Sequence, residues 1–224
     1  MIAVRGVSHR YGDRPVLSDV DVTLTEHRVG IVGANGSGKS TFVRMLNGLV
    51  LPTQGRVTLD GLDTRTDGRE VRRLVGFCFT DPDAQIVMPT VAEDVAFGLR
   101  RRGLSKPEAR ARVTAALATY GLDAHADHPA HLLSGGQKQL LALTSVLVTE
   151  PALLVMDEPT TLLDLRNGRM VSRVVAELPQ QVVLVTHHLE LLEGFDRVLV
   201  FDEGRLVRDA APPEAVAHYR ALMS

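Results

Sequence analysis

A chain of 224 residues with a formal net charge of −2 gives no electrostatic reason to expect a nucleic-acid binder. Hydrophobic residues at 45% and charged residues at 23% suit one large domain, or a core with a sizeable insertion, that buries a real interior. No apolar run approaches the roughly 20 residues of a membrane span, and "MIAVRGVSHRYG" lacks a signal-peptide core, so any work at a membrane is expected to go through a partner.

Along the first half, strand-like stretches alternate with turns: "IAVRGVSHRY", "VDVTLT", "RVGIVG", then "GRVTLDG". Within "GIVGANGSGKST", Gly33-x4-Gly38-Lys39-Ser40 follows an apolar strand directly and precedes a helix directly, the context a phosphate loop requires. Gly33, Gly36 and Gly38 let the backbone curl so that its N–H groups converge on phosphate oxygens, with Asn35, Ser37 and Thr41 in the same turn. The helix N-terminus adds favourable partial charge. Lys39 is expected to neutralise terminal phosphates and Ser40 to ligate magnesium. The chain has only two other lysines, Lys106 and Lys138, which makes this placement informative. Apolar spacing predicts a helix over 39–49, ended before Pro52.

"LVGFCF" reads as a strand covered on both faces. Its Cys78 is the only cysteine, expected as a buried thiol in a reducing, cytosolic compartment. The run "FCFTDPDAQIVMPTVAEDVAFGLRRR" over 77–102 then breaks at Pro82, resumes with Glu93 and Asp94, and ends in arginines 100–102, read as a solvated face. From 90 to about 147 the pattern is helical only, with a capping box at Ser105 and Glu108. "HADHPAH" spaces His125, His128 and His131 three apart. Pro129 interrupts any helix that would align them and no carboxylate or thiol cluster completes a shell, so no metal site is read there.

Strands return at "ALLVMD", "QVVLVT" and "RVLVFD". In "ALLVMDEP" four apolar residues deliver Asp157 to a strand end, where it can hold a magnesium-bound water, and Glu158 beside it can act as general base. The expected fold is α/β: one domain over 1–224, with a phosphate-loop core of 1–80 and 148–224 and a helical insertion of 81–147.

Leu133-Ser134-Gly135-Gly136-Gln137, opening a helix between the phosphate loop and Asp157, resembles the signature motif of ABC-type ATPases. Nearly the whole chain takes part in that resemblance. It implies an antiparallel β subdomain beside the core, ATP and Mg2+ as ligands, and two copies packed head to tail, the signature of one closing over ATP held by the other. By the same resemblance Tyr11 stacks on adenine, Asp164 in "TTLLD" lies in the loop that crosses the dimer interface, and His187 in "LVTHH" contacts the terminal phosphate. One position departs: Thr80 stands where the family has a glutamine that reaches magnesium and the attacking water, and Gln85 is the nearby candidate to replace it.

The segment Pro82, Asp83, Gln85, Thr90, Val91, Glu93, Asp94 and Val95 is similar to the energy-coupling-factor subgroup. That likeness implies a peripheral subunit on the cytoplasmic face of the membrane, docked on a transmembrane scaffold through Asp83, Glu93 and Asp94. A small membrane protein then binds the transported vitamin or metal ion. The wording "FTDPDAQ" is similar to biotin transporters, and the short stretch after the last strand to the homodimeric type. Two other readings are a soluble ABC ATPase with a non-transport role and an ATP-holding scaffold with weak hydrolysis. About 95 residues between Lys39 and Ser134 leave no room for the coiled-coil insertion of repair ATPases. Retention of Lys39, Asp157, Glu158 and His187 speaks for turnover.

Overall fold

The computed structural model describes residues 1–100 and 102–224; Arg101, the centre of the arginine run, lies outside the described residues. The chain divides into two compact units, one of residues 1–75, 152–158 and 179–224, the other of residues 76–151 and 159–178.

The first unit opens with β1 (Ile2–Tyr11), β2 (Arg14–Leu24), β3 (Arg28–Gly33), α1 (Lys39–Met45), β4 (Gln54–Leu59), β5 (Leu62–Asp63) and α2 (Gly68–Leu74). β6 (Val75–Cys78) then carries the chain into the second unit, built on α3 (Val91–Leu99), α4 (Lys106–Thr119) and α5 (Gly135–Leu147). β7 (Leu153–Asp157) returns to the first unit and α6 (Leu165–Glu177) to the second. β8 (Gln181–Val185), β9 (Arg197–Asp202), β10 (Arg205–Ala210) and α7 (Pro212–Leu222) complete the first unit.

Two sheets form the first unit. An antiparallel one runs β2-β1-β4-β5, and a second runs β10-β9-β3-β8-β7, parallel from β9 through β7. β3 and β7 are buried at every residue, as expected of parallel strands covered on both faces. Their register matters for function. Ile31 of β3 pairs with Val185 of β8, which pairs in turn with Asp157 of β7, so β8 and β7 end level with each other and β3 runs two residues further, to Gly33, at the same edge of the sheet. Ligands of open parallel sheets bind outside that edge.

In the second unit, three helices begin on capping boxes: Thr90 with Glu93, Ser105 with Glu108, and Ser134 with Gln137. Cys78 is fully buried, accepts from Gln139 Nε2 at 3.3 Å, and has its thiol pushed up to about 12 by burial. Among the described residues no helix is long and apolar enough to cross a membrane.

The structure shortens one predicted element and adds two. α1 stops at Met45 instead of running to 49, because the amides of Leu46 and Gly48 turn to carbonyls three residues back and Gly48 adopts φ +71°, a left-handed stop. β10 and α2 were hidden in sequence that buries almost nothing. "RLVRDA" has no buried residue and "GREVRRL" has only Val71.

Candidate active site

β3 ends at Gly33, and the loop of residues 34–38 turns the chain into α1. Gly38 has φ +97°, and a Cβ there would meet Leu17 Cδ2 at 2.7 Å and the Val16 carbonyl at 2.8 Å. Only glycine fits that turn. Asn35 and Gly36 are exposed, Thr41 is half-buried, and Ser37 is buried. Ser37 Oγ has no hydrogen-bond partner among the described residues, a costly state for a buried hydroxyl. Lys39 is buried and folds over the loop, donating from Nζ to the carbonyls of Gly33 and Ala34 at 2.8 Å each. Burial lowers its pKa, against the opposing charges of Glu158 and Asp157. An anion placed here meets a desolvated cation and backbone N–H groups at a helix start.

Asp157, at the end of β7, is 1% exposed. Its Oδ1 accepts from Ser40 Oγ at 2.9 Å, and its Oδ2 lies 3.3 Å from Arg44 Nη2. Burial raises its pKa, while the Ser40 bond and the Arg44 charge pull it back. A hydroxyl and a carboxylate side by side form an oxygen set suited to a small hard cation that keeps most of its waters. Arg44 escaped the sequence reading. Its signal was the spacing of four from Ser40, which places both on one face of α1.

Glu158 follows with φ +54°, a region uncommon for residues other than glycine. Its amide donates to the Val185 carbonyl at 3.0 Å, which ties the turn after β7 to the end of β8. Two residues beyond Val185 comes His187, whose Nε2 lies 2.8 Å from Glu158 Oε1. The structure thus brings Lys39, Ser40, Asp157, Glu158 and His187 to one edge of the first unit. Tyr11, also of this unit, is 52% exposed and stands edge-on to His9, ring centroids 4.6 Å apart, so it is not a core residue.

The signature residues belong to the second unit. Ser134 caps α5, and Gly135 is exposed with nothing within 4 Å of its missing Cβ. Gly136 is buried; a Cβ there would lie 2.3 Å from Asn167 Cγ, so α5 and α6 approach each other only over a glycine. Asp164 caps α6 by accepting from Asn167 N–H at 2.8 Å. Exposed leucines stand around these two helix starts: Leu132, Leu162 and Leu165.

The sequence pattern of the family described as ABC transporter matches residues 17–161. The chain belongs to the ABC transporter family. A protein of Rhizobium etli named biotin transport ATP-binding protein BioM is 51% identical over 217 residues, 97% of this chain and 96% of that one. The energy-coupling factor transporter ATP-binding protein EcfA1 of Symbiobacterium thermophilum is 44% identical over 233 residues, 96% of this chain and 81% of the other. Among solved structures, cbiO1 from Clostridium perfringens, described as part of the ABC transporter complex cbiONQ, superposes with a TM-score of 0.86. It is 32% identical and covers 99% of this chain and 92% of its own. As in other ABC transporter ATPases, the chemistry of this chain is hydrolysis of ATP coupled to transport.

Several residues of this ABC transporter chain expected at the metal site or the docking face are engaged within the second unit. The Gln85 amide is engaged at both ends: Oε1 accepts from Phe79 N–H at 3.1 Å and Nε2 donates to the Ala142 carbonyl at 2.9 Å. It staples the loop after β6 to α5. The acids assigned to docking also divide. Asp94 is 4% exposed and accepts from Val87 N–H, Met88 N–H and Ser145 Oγ at 2.8–3.1 Å, so it shapes the loop from within. Glu93 is engaged in the capping box, and Asp83, 62% exposed along its side chain, pairs with Lys138 at 2.8 Å. The surface that remains is a groove of about 300 Å³ lined by Asp83, Val87, Met88, Pro89 and His131, with Val87 61% exposed.

Proposed function

We propose that this ABC transporter ATPase is the motor of an energy-coupling-factor importer, held at the cytoplasmic face of the membrane by a transmembrane scaffold. The observation that carries the catalytic part is the 2.8 Å contact of Glu158 with His187 beside the Ser40–Asp157 pair. In this reading the loop 34–38 and Lys39 bind the phosphates, and the partnerless Ser37 hydroxyl gains an acceptor from them. Tyr11 stacks on adenine, a contact of about 1–3 kcal/mol by analogy with base stacking. Ser40 and Asp157 hold Mg2+, which when bound neutralises charge on the β- and γ-phosphates. Glu158 takes a proton from the attacking water, and His187, donating from Nε2, orients that carboxylate beside the γ-phosphate.

A complete site needs the signature of a second copy. Exposed Ser134 and Gly135 at a helix start, ringed by exposed Leu132, Leu162 and Leu165, suit a face that closes over ATP bound to another chain. Asp164 caps the neighbouring helix, α6, beside Leu165. The groove at Asp83, Val87 and Met88 suits a cytoplasmic helix of the scaffold, its apolar floor taking side chains and Asp83 a basic residue. A separate small membrane protein binds the cargo. The likeness to a biotin transport protein makes biotin the first cargo to test.

The test extracts tagged chain from native membranes in mild detergent and identifies the co-purifying proteins by mass spectrometry. A multi-span scaffold together with a small integral membrane protein that binds biotin is expected. Recovery of ribosomal or DNA-repair proteins instead would overturn the importer reading.

A further inference from the structure

The histidine run stands outside the function described so far, yet the fold gives it a definite arrangement. His125 closes a 3-10 turn (Asp123–His125), and the His128 amide donates back to the His125 carbonyl at 2.9 Å. The turn sets the two rings 4.8 Å apart, with Nδ1 of one 2.7 Å from Nδ1 of the other. On its far side, His125 Nε2 lies 2.9 Å from Nε2 of Gln137, the last residue of the signature. The opposite end of that amide, Gln137 Oε1, accepts from Ser134 N–H at 2.9 Å. His131 takes no part and lines the groove beside Asp83.

Donor and acceptor rules admit one proton arrangement for this chain of contacts. An amide NH2 only donates, so His125 Nε2 is the acceptor and carries no proton. His125 then bears its proton on Nδ1 and donates it to His128 Nδ1, which leaves the His128 proton on Nε2. Turning the Gln137 amide round would place its NH2 against the Ser134 N–H, donor against donor. Swapping the tautomer of His125 would do the same at Gln137. Each bond in the relay holds the next.

We propose that His125, backed by His128, is a positioning residue for the signature: it fixes the amide of Gln137 and, through it, the start of α5. The Ser134 N–H is spent inside the cap. Ser134 Oγ accepts from Gln137 N–H at 3.4 Å, and its own hydroxyl proton and the Gly135 N–H are the donors left on exposed residues. That pair faces the nucleotide of the second copy, a statement that rests on the head-to-tail reading above. Without His125 the Gln137 amide rotates, the Ser134 N–H is released, and the two outward donors lose their fixed direction.

Two measurements test the relay. Imidazole nitrogen shifts in 15N-histidine-labelled protein are expected to show the less common Nδ1–H tautomer at His125 and the Nε2–H tautomer at His128. An Nε2–H proton on His125 overturns the relay whatever the protein does with ATP. The second measurement is ATP-driven association in a Glu158→Gln background, monitored by sedimentation, with melting curves as a folding control. His125→Ala is expected to raise the ATP concentration for half-association about fivefold, the worth of one hydrogen bond. His125→Gln, whose amide oxygen can accept from Gln137 and whose NH2 can donate to His128, restores it to within about twofold. Equal effects of the two substitutions overturn the positioning role. Failure of the parent Glu158→Gln chain to associate with ATP at all overturns the head-to-tail reading instead, while the tautomers still decide the relay.

Discussion

Glu158 and Gln85 mark the two extremes of what a side chain's neighbours decide. Glu158 has its chemistry fixed locally, by the strand that ends on Asp157 and by a backbone at φ +54°. Glu158→Gln keeps that backbone and a hydrogen-bonding partner for His187 while removing the base. ATP binding is expected to persist and phosphate release to fall by about 10²- to 10⁴-fold, measured with a fluorescent nucleotide and a phosphate sensor on one preparation. Gln85 and Asp94 obtain their roles from partners about fifty residues away in sequence, the Ala142 carbonyl and the Ser145 hydroxyl, so no local pattern disclosed them. Asp94→Ala leaves the amides of Val87 and Met88 without their acceptor and is expected to cost about 3 kcal/mol, read as a lower urea midpoint. Glu93→Arg, at an exposed cap, should cost no more than about 1 kcal/mol.

At the scale of elements, the contrast between neighbouring signature glycines comes from how α5 meets α6. Gly136→Ala drives a methyl group to within 2.3 Å of Asn167 Cγ and is expected to destabilise by about 1–3 kcal/mol. Gly135→Ala meets open space and is expected to leave the melting temperature unchanged or slightly raised. The element reading was most secure where apolar period and punctuation agreed, as in β3, β7 and the capped helices. It failed at β10, an edge strand with no buried residue, held by its pairing with β9, and at the end of α1, where Gly48 acts before Pro52 can. Cys78 offers a probe of the second unit. Its thiol, raised to about 12 by burial, stays protonated in the folded chain while the unfolded chain ionises above about 9. Stability from this group is therefore constant below pH 9 and declines above it. At pH 8 a thiol reagent is expected to react only as fast as the unit opens, measured against the rate in urea.

For the molecule as a whole, Arg197 is a tie between the two sheets of the first unit. It donates to both oxygens of Asp209 on β10, to the Thr23 carbonyl on β2 and to Glu26, and these partners raise its pKa. Burial works to raise the Glu26 pKa, but backbone N–H bonds and Arg197 hold it below the ordinary value. That stabilisation is complete above about pH 4.5 and is lost as pH falls through the lowered value. Arg197→Met is expected to cost about 2 kcal/mol near neutrality and markedly less at pH 3, compared by urea unfolding at both. The row of Ile31, Val185 and Asp157 across β3, β8 and β7 has a further consequence. Neighbouring strands stand about 4.8 Å apart, so the strands that lead to the loop of residues 34–38, to His187 and to Glu158 are spaced as marks on a rule that no side-chain motion can stretch. β7, which leads to the acid, lies two strands, roughly 10 Å, from β3, which leads to the loop of residues 34–38. The spacing of these strands is therefore set by backbone pairing alone, and it is in place before any ligand arrives.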